Sequence, residues 1–278
     1  MPLARLEVLL AAFLFSTGGA AIKATSLSSW QVASFRAGIA ALMLLTFVPA
    51  ARRTSWRAVL VGVVQALTFV TFVAANKLTT AASAVFLQAS APLYLMMLGP
   101  WLGERVRGRD LPFIVAIVAG LVLLFSGAPA PSSTAPDTGL GNVVGAVSGA
   151  MWALTLAGLR WAEQHRAAGQ EVTAASATMW GNVLACGGCL PLAMPVQATP
   201  VDWAVIVYLG VFQVGLAYVF LTRGLGRLSA VEASLLLLLE PALNPLWAWL
   251  AHGEWPGLLA SIGGATILAA TTLRAVRR

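Results

Sequence analysis

Long apolar stretches dominate the chain, and short polar segments separate them. A helix needs about 20 apolar residues to cross the hydrocarbon core of a bilayer. Stretches near that length lie at residues 6–22, 29–49, 58–76, 80–100, 111–127, 139–160, 173–193, 202–222, 229–250 and 256–273. Prolines and glycines mark several of the joints, as expected where helices end. The pattern predicts an all-α polytopic membrane protein with ten transmembrane helices.

Two short motifs recur at a common spacing of 150 residues. Lys77-Leu78-Thr79 corresponds to Arg227-Leu228-Ser229, and Gly103-Glu104 corresponds to Gly253-Glu254. An apolar run with one or more prolines lies between the two motifs in each copy. Two matches at the same spacing, close to half the chain length, indicate an internal duplication.

The duplication divides the chain into a first repeat at 1–130 with helices 1–5, an external linker at 131–138 and a second repeat at 139–278 with helices 6–10. Because each repeat has an odd number of spans, the second enters the membrane in the opposite orientation. Inverted-topology repeats are typical of secondary transporters, whose substrate site lies near the midplane where the repeats meet. The fold expectation is therefore two five-helix inverted-topology repeats.

Composition agrees with a membrane protein, and charge sets its orientation. Of the 278 residues, 59% are hydrophobic and only 10% are charged, whereas soluble chains average about 25% charged residues. The net charge of +7 does not indicate nucleic-acid binding, because the charges lie in short loops. Most arginines fall on the side of the termini, while Lys23 and Lys77 fall on the other. The positive-inside rule predicts that both termini are cytoplasmic.

Several residues in fixed order give the chain a family resemblance. They are Arg36 in span two, Pro92 followed by Gly103-Glu104-Arg105, and Glu240-Pro241 followed by Gly253-Glu254. With the ten-span layout, they resemble the EamA-repeat family of the drug/metabolite transporter superfamily, and within it most the YddG-type aromatic amino acid exporters. The resemblance implies a multi-pass protein of the bacterial inner membrane, monomeric and without cofactor. It would export aromatic and other neutral amino acids, or related small metabolites, by alternating access.

The same resemblance implies a central cavity lined mainly by spans three, four, eight and nine, with help from one and six. Polar and aromatic residues on those spans are the candidate substrate-binding positions. They are Phe15, Phe69, Phe72, Gln88, Ser90, Tyr94, Trp152, Gln213, Tyr218, Asn244 and Trp247. Aromatic walls with few fixed charges suit an apolar or zwitterionic small molecule.

Two charged residues inside the spans have two possible roles each. Glu240 could bind a substrate ammonium or carry a coupling proton, since intramembrane carboxylates are costly and often functional. It could equally pair with another residue and secure the helix bend at Pro241. Arg36 could meet a substrate carboxylate or anchor span two as a structural cation.

Prolines suggest where the helices could move. Pro92 and Pro241 interrupt long helices at equivalent depth, and Pro245 follows one turn later. A proline removes a backbone hydrogen bond and bends the helix. These three residues are the candidate hinges, with static curvature as the alternative.

Three other functions, as an enzyme, a sugar-phosphate translocator or a multidrug exporter, each require residues that the sequence does not clearly provide. No catalytic constellation or metal-ligand cluster is visible, and Cys186-Gly-Gly-Cys189 is interpreted as a set of small residues that allow close helix packing. A sugar-phosphate or nucleotide-sugar translocator needs cations in its cavity, and Arg36 is the candidate away from the external surface. Small multidrug exporters use a glutamate in the first helix. Here the first span offers Ser16 and Thr17, so cationic drugs would depend on Glu240.

Overall fold

The computed structural model describes residues 2–98, 108–127, 129–167, 173–225 and 236–276, and within these ranges it contains helices and no strand. The first half holds α1 (Pro2–Ser16), α2 (Gly18–Lys23), α3 (Ser29–Phe47), α4 (Trp56–Leu78), α5 (Ala81–Gln88), α6 (Ala91–Leu98) and α7 (Leu111–Ser126). The second half holds α8 (Thr138–Ala167), α9 (Ala174–Cys189), α10 (Pro200–Tyr208), a π-helix (Leu209–Leu216), α11 (Ala217–Leu225), α12 (Leu239–His252) and α13 (Leu258–Val276). Gly103-Glu104-Arg105 and Arg227-Leu228-Ser229 lie outside the described residues.

Hydropathy and length make this a multi-pass membrane protein. Five helical stretches are long and apolar enough to cross a bilayer: Leu3–Lys23, Ser29–Phe47, Trp56–Leu78, Thr138–Leu159 and Pro200–Gly224. Three shorter apolar stretches accompany them: Ala81–Met97, Leu111–Ser126 and Leu258–Arg274. In a bilayer, a helix satisfies its own backbone hydrogen bonds, which is why apolar runs of this length become helices.

Polar side chains fix where several helices begin. Ser28 accepts a hydrogen bond from the backbone of Gln31 and forms a capping box at the start of α3. Thr173 does the same at the start of α9, the second helical span of the other half. A capping box satisfies backbone donors that have no partner inside the helix. The two halves thus start their second span with the same local device.

Four stretches in the described residues are not continuous α-helices, and one of them passes through the π-helix between α10 and α11. The first span breaks at Thr17, between α1 and α2. The fourth span breaks at Ala89-Ser90, and the residue before α12 is a turn at Leu238. Pro92 and Pro241 therefore lie in the first turns of new helices and do not bend a continuous one. A first-turn proline removes no intrahelical hydrogen bond, because the backbone donors there have no partner in the helix. Pro245 does lie inside α12.

Glycines let helix backbones approach closely. A Cβ on Gly120 of α7 would lie 2.8 Å from the carbonyl oxygen of Gly263 on α13, and one on Gly181 would lie 3.0 Å from Gln65. Small residues at such crossings are typical of membrane helix packing. The prediction for Cys186-Gly-Gly-Cys189 was wrong for its glycines. A Cβ on Gly187 or Gly188 would meet nothing within 4 Å, so these two face open space.

Candidate functional site

The break in the first span lies against polar side chains of α10, the π-helix and α12. Ser16 Oγ accepts a hydrogen bond from Trp247 Nε1 at 2.9 Å, and the hydroxyls of Thr17 and Tyr208 are hydrogen-bonded at 2.8 Å. Discontinuous helices next to polar groups are where secondary transporters place their substrate sites. The break is therefore the natural centre of a candidate site.

Two glycines follow the break and leave no room for a side chain. A Cβ on Gly18 would lie 2.6 Å from Gln213 Nε2, and a Cβ on Gly19 would lie 2.7 Å from Asn244 Oδ1. Both amide side chains thus pack directly on the backbone of α2. Each consecutive residue from 16 to 19 faces a polar or aromatic side chain from the second half of the chain.

Arg36 joins this group from α3. Its guanidinium donates to Gln213 Oε1 at 3.2 Å and to the carbonyl oxygen of Phe69 at 3.2 Å. The guanidinium carbon lies 5.8 Å from the centre of the Phe69 ring. Arg36 is 2% exposed, and within the described residues no carboxylate forms an ion pair with it. A buried guanidinium with neutral partners has N–H groups left for another acceptor.

Aromatic rings cover Arg36 and Gln213 on one side. Phe15 and Tyr218 meet edge to face with ring centres 5.2 Å apart, and Phe69 and Tyr218 do so at 6.0 Å. All three rings are buried and belong to one apolar cluster with alanines of the first, second, third and seventh spans. The structure thus brings together five of the predicted residues that lie far apart in the chain.

Asn244 is fully buried, and neither its Oδ1 nor its Nδ2 has a hydrogen-bond partner in the described part of the chain. Buried amides are nearly always paired, because an unpaired one costs about 1–3 kcal/mol. Such an orphaned amide beside a helix break is a candidate ligand-binding group.

The other predicted positions lie elsewhere. Gln88, Ser90 and Tyr94 line the α5–α6 break and face α8, where Gln88 Nε2 donates to Ser148 Oγ at 3.1 Å. Phe72 packs in an apolar cluster with Ile22. Trp152 is half-buried on α8. Most of the predicted residues therefore form one group at the first-span break and a second group at the fourth-span break, and Phe72 and Trp152 belong to neither.

Glu240 lies in the first turn of α12 and is half-buried. A carboxylate there is favoured by the helix dipole, which is a structural reason for an acid at this position. Glu7 in α1 is a second acid inside a span, besides Glu240; it is 9% exposed and was not among the predicted residues. The first span therefore does contain a buried glutamate. The expectation that this span offers Ser16 and Thr17 in place of the glutamate of small multidrug exporters was wrong. The available signal was the apolar run that begins directly after Glu7.

A buried ion pair at one end of the bundle was also missed. Lys23 Nζ lies 3.3 Å from Glu254 Oε1, and the two side chains are 2% and 5% exposed. Lys23 also donates to the carbonyl oxygens of Thr79, at 2.8 Å, and Thr134. Burial raises the pKa of the Glu254 carboxyl, and the charge of Lys23 opposes that rise. The recurring Gly-Glu motif marked Glu254 in the sequence, but nothing local identified its partner.

Crevices open between helices on the described surface, and two of them adjoin α12. One, of about 400 Å³, is lined by Thr17, Tyr208, Trp247 and small residues of α2 and α12. The other, of about 250 Å³, is lined by Pro241, Pro245 and apolar residues of α5, α12 and α13. Neither is lined by Arg36 or the aromatic cluster, which lie in the packed interior. Among the described residues, no group of three or more His, Cys, Asp or Glu side chains could hold a metal ion.

Known proteins resemble this chain over most of its length. A crystal structure of a protein 22% identical in sequence superposes with a TM-score of 0.65 and covers 99% of each chain, which shows a shared fold. An uncharacterized transporter of Archaeoglobus fulgidus is 27% identical over 203 residues, which are 73% of this chain and 70% of that protein. The model of the EamA-like transporter family matches twice, at residues 3–126 and 139–275. The chain therefore belongs to the EamA-like transporter family.

Proposed function

We propose that this transporter is a secondary active exporter of aromatic and other neutral amino acids, and of related small metabolites, across the bacterial inner membrane. The observation that carries the proposal is Arg36. It is a buried cation without a carboxylate partner among the described residues, set against Gln213 and a wall of three aromatic rings. A free amino acid supplies what this site lacks, because its carboxylate pairs with a guanidinium in a forked, charge-assisted contact.

The aromatic wall suits the side chain of such a substrate. Phe15, Phe69 and Tyr218 form edge-to-face pairs, and the Arg36 guanidinium carbon lies 5.8 Å from the centre of the Phe69 ring. Asn244 offers an unpaired donor and an unpaired acceptor on the other side of the first-span break. Glu240, in the first turn of α12, would take the substrate ammonium or a coupling proton.

Helix packing supports alternating access through two inverted repeats. The first span packs on α11 and α12, and α8 of the second half packs on α4, α5 and α6. The pairs α3 with α9 and α7 with α13 each join equivalent spans of the two halves. If each helix is replaced by the equivalent helix of the other half, the same set of packed pairs results. Two repeats with the same internal fold are expected to pack in this way. The double match of the family model points the same way.

A cationic-drug exporter is the second candidate, and Glu7 favours it. A buried carboxylate in the first span is a possible cation-binding group. The two candidate functions differ in the charge of the substrate. An amino acid exporter binds a carboxylate through Arg36, whereas a cationic-drug exporter binds an organic cation through Glu7 or Glu240.

Transport by purified protein in liposomes tests the proposal. Uptake of a panel of radiolabelled amino acids and of organic cations is measured with and without an imposed pH gradient, against empty liposomes. We expect saturable uptake of phenylalanine and related neutral amino acids. Absence of uptake of every amino acid at all pH gradients contradicts the proposal, and uptake of cations alone favours the second candidate.

A further inference from the structure

The ion pair between Lys23 and Glu254 joins the two halves of the chain at one end of the bundle. Lys23 is the last residue of α2, and Glu254 lies in the loop between α12 and α13. His252 Nε2 makes a second tie between the same two segments, a hydrogen bond at 2.8 Å to the carbonyl oxygen of Ala20. Any movement that separates α2 from the end of α12 must break both contacts.

The ion pair lies closer to this end of the bundle than the candidate site does. Asn244 precedes His252 by eight residues of the same helix, which is about 12 Å along the axis at about 1.5 Å per residue. Gly19, which packs on Asn244, is one turn before Lys23 on α2. With both termini cytoplasmic, as the arginine distribution predicts, this end faces the outside of the cell.

The contact is built so that it can open. The Glu254 carboxylate faces the charge of Lys23, the backbone N–H of Ala81 and the side chain of His252, and Lys23 is the strongest of these partners. In the described part of the chain, neither oxygen of Glu254 has a well-aligned hydrogen bond. Burying two charges costs about as much as their attraction returns. When α2 moves away, water can hydrate both groups and replace the lost attraction. An ion pair of this kind can stabilise one conformation and still allow the protein to leave it.

We infer that Lys23 and Glu254 form an ionic latch that holds the external side of the substrate site closed and that must break before this side can open. The latch rests on the proposed carrier function, because it assigns one of two alternating states. It assigns no substrate and depends on none.

Labelling of a cysteine beneath the latch tests this inference. The reporter is Asn244→Cys, placed in a chain whose native thiols are removed by Cys186→Ser and Cys189→Ser, the two free cysteines of the protein. Asn244 is fully buried, so a membrane-impermeant thiol reagent added from outside reacts only when the external side opens. The measured quantity is the rate of labelling in intact cells or right-side-out vesicles.

Four variants of the reporter chain are compared: Lys23→Met, Glu254→Gln, both together, and Lys77→Met. Lys77 is the control, because it is also a lysine at this end, next to Lys23 and Asp202, and donates at 2.6 Å to the carbonyl oxygen of Thr25. Among the described residues it forms no ion pair with Glu254. If Lys23→Met does not give a monodisperse protein in size-exclusion chromatography, Lys23→Gln replaces it.

A latch predicts that each single change speeds labelling at least fivefold and that the double variant is within twofold of the faster single one, since either change breaks the same contact. Lys77→Met should stay within twofold of the reporter alone. The inference is overturned if either single change gives less than a fivefold increase, if the two effects multiply, or if Lys77→Met matches them. Labelling needs no substrate. Faster labelling of the variants would therefore support the latch even if no amino acid is taken up in liposomes. Uptake of amino acids with unchanged labelling would support the proposed function and contradict the latch.

Discussion

Replacing Arg36 by glutamine should remove the preference of the transporter for a carboxylate. The Arg36 guanidinium has five N–H groups, of which the structure assigns two, to Gln213 and to the carbonyl oxygen of Phe69. The remaining groups can bind a carboxylate in the buried, water-poor site. A hydrogen bond to a charged group contributes about 1.5–3 kcal/mol. A forked contact worth about 3 kcal/mol corresponds to about 100-fold in affinity.

The assay compares two ligands that differ only at this group. Binding of phenylalanine and of phenylalaninamide, which lacks the carboxylate, is measured by competition against a radiolabelled amino acid. Wild-type protein should prefer phenylalanine by about 100-fold, and Arg36→Gln should reduce that preference to about onefold. Arg36→Lys keeps the charge but not the planar fork, so it should retain about a tenth of the preference.

A structural role for Arg36 predicts a different result. If Arg36 only ties α3 to α4 and to the π-helix, its loss weakens both ligands equally and lowers the melting temperature. An unchanged ratio between phenylalanine and phenylalaninamide in the Arg36→Gln variant would therefore refute the reasoning, whatever happens to absolute affinity. The Lys77→Gln variant, which removes a cation outside the site, controls for changes in overall charge.

Three further predictions concern coupling, hinges and packing. Glu240→Gln should abolish the acceleration of uptake by a pH gradient while leaving exchange of internal for external substrate intact; loss of both activities would instead indicate a structural acid. Pro92→Ala or Pro241→Ala should cut transport more than expression, because each proline keeps a helix start separate from the preceding segment, and wild-type flux at equal protein level would contradict this. Gly263→Ala should lower the free energy of unfolding by about 1–3 kcal/mol, since its Cβ would lie 2.6 Å from a backbone oxygen of α7. Gly187→Ala is the matched control, with nothing within 4 Å of the new methyl group, and thermal melting in detergent measures both.

The sequence by itself determined the class of the molecule and where its helices lie. Hydropathy over windows of about 20 residues is a local property, and a bilayer turns an apolar run into a helix with little influence from its neighbours. The ends of α3 and α9 were likewise encoded locally, by Ser28 and Thr173 and the residues three positions later. The motif spacing around Gly253-Glu254 indicated the duplication before any contact was known.

Tertiary structure alone decided which side chains meet. Arg36 bonds to Gln213 across 177 positions of the chain, and Lys23 pairs with Glu254 across an even longer stretch. Nothing local distinguishes Gln213, which the structure joins to Arg36, from Gln88, which it places at another break. The interruption at Thr17 falls in Ser16-Thr17-Gly18-Gly19, and a hydropathy average over about 20 residues does not detect so short a polar segment. Charges at helix ends look alike in sequence, and only packing shows which of them are buried together and so become a contact that movement must break.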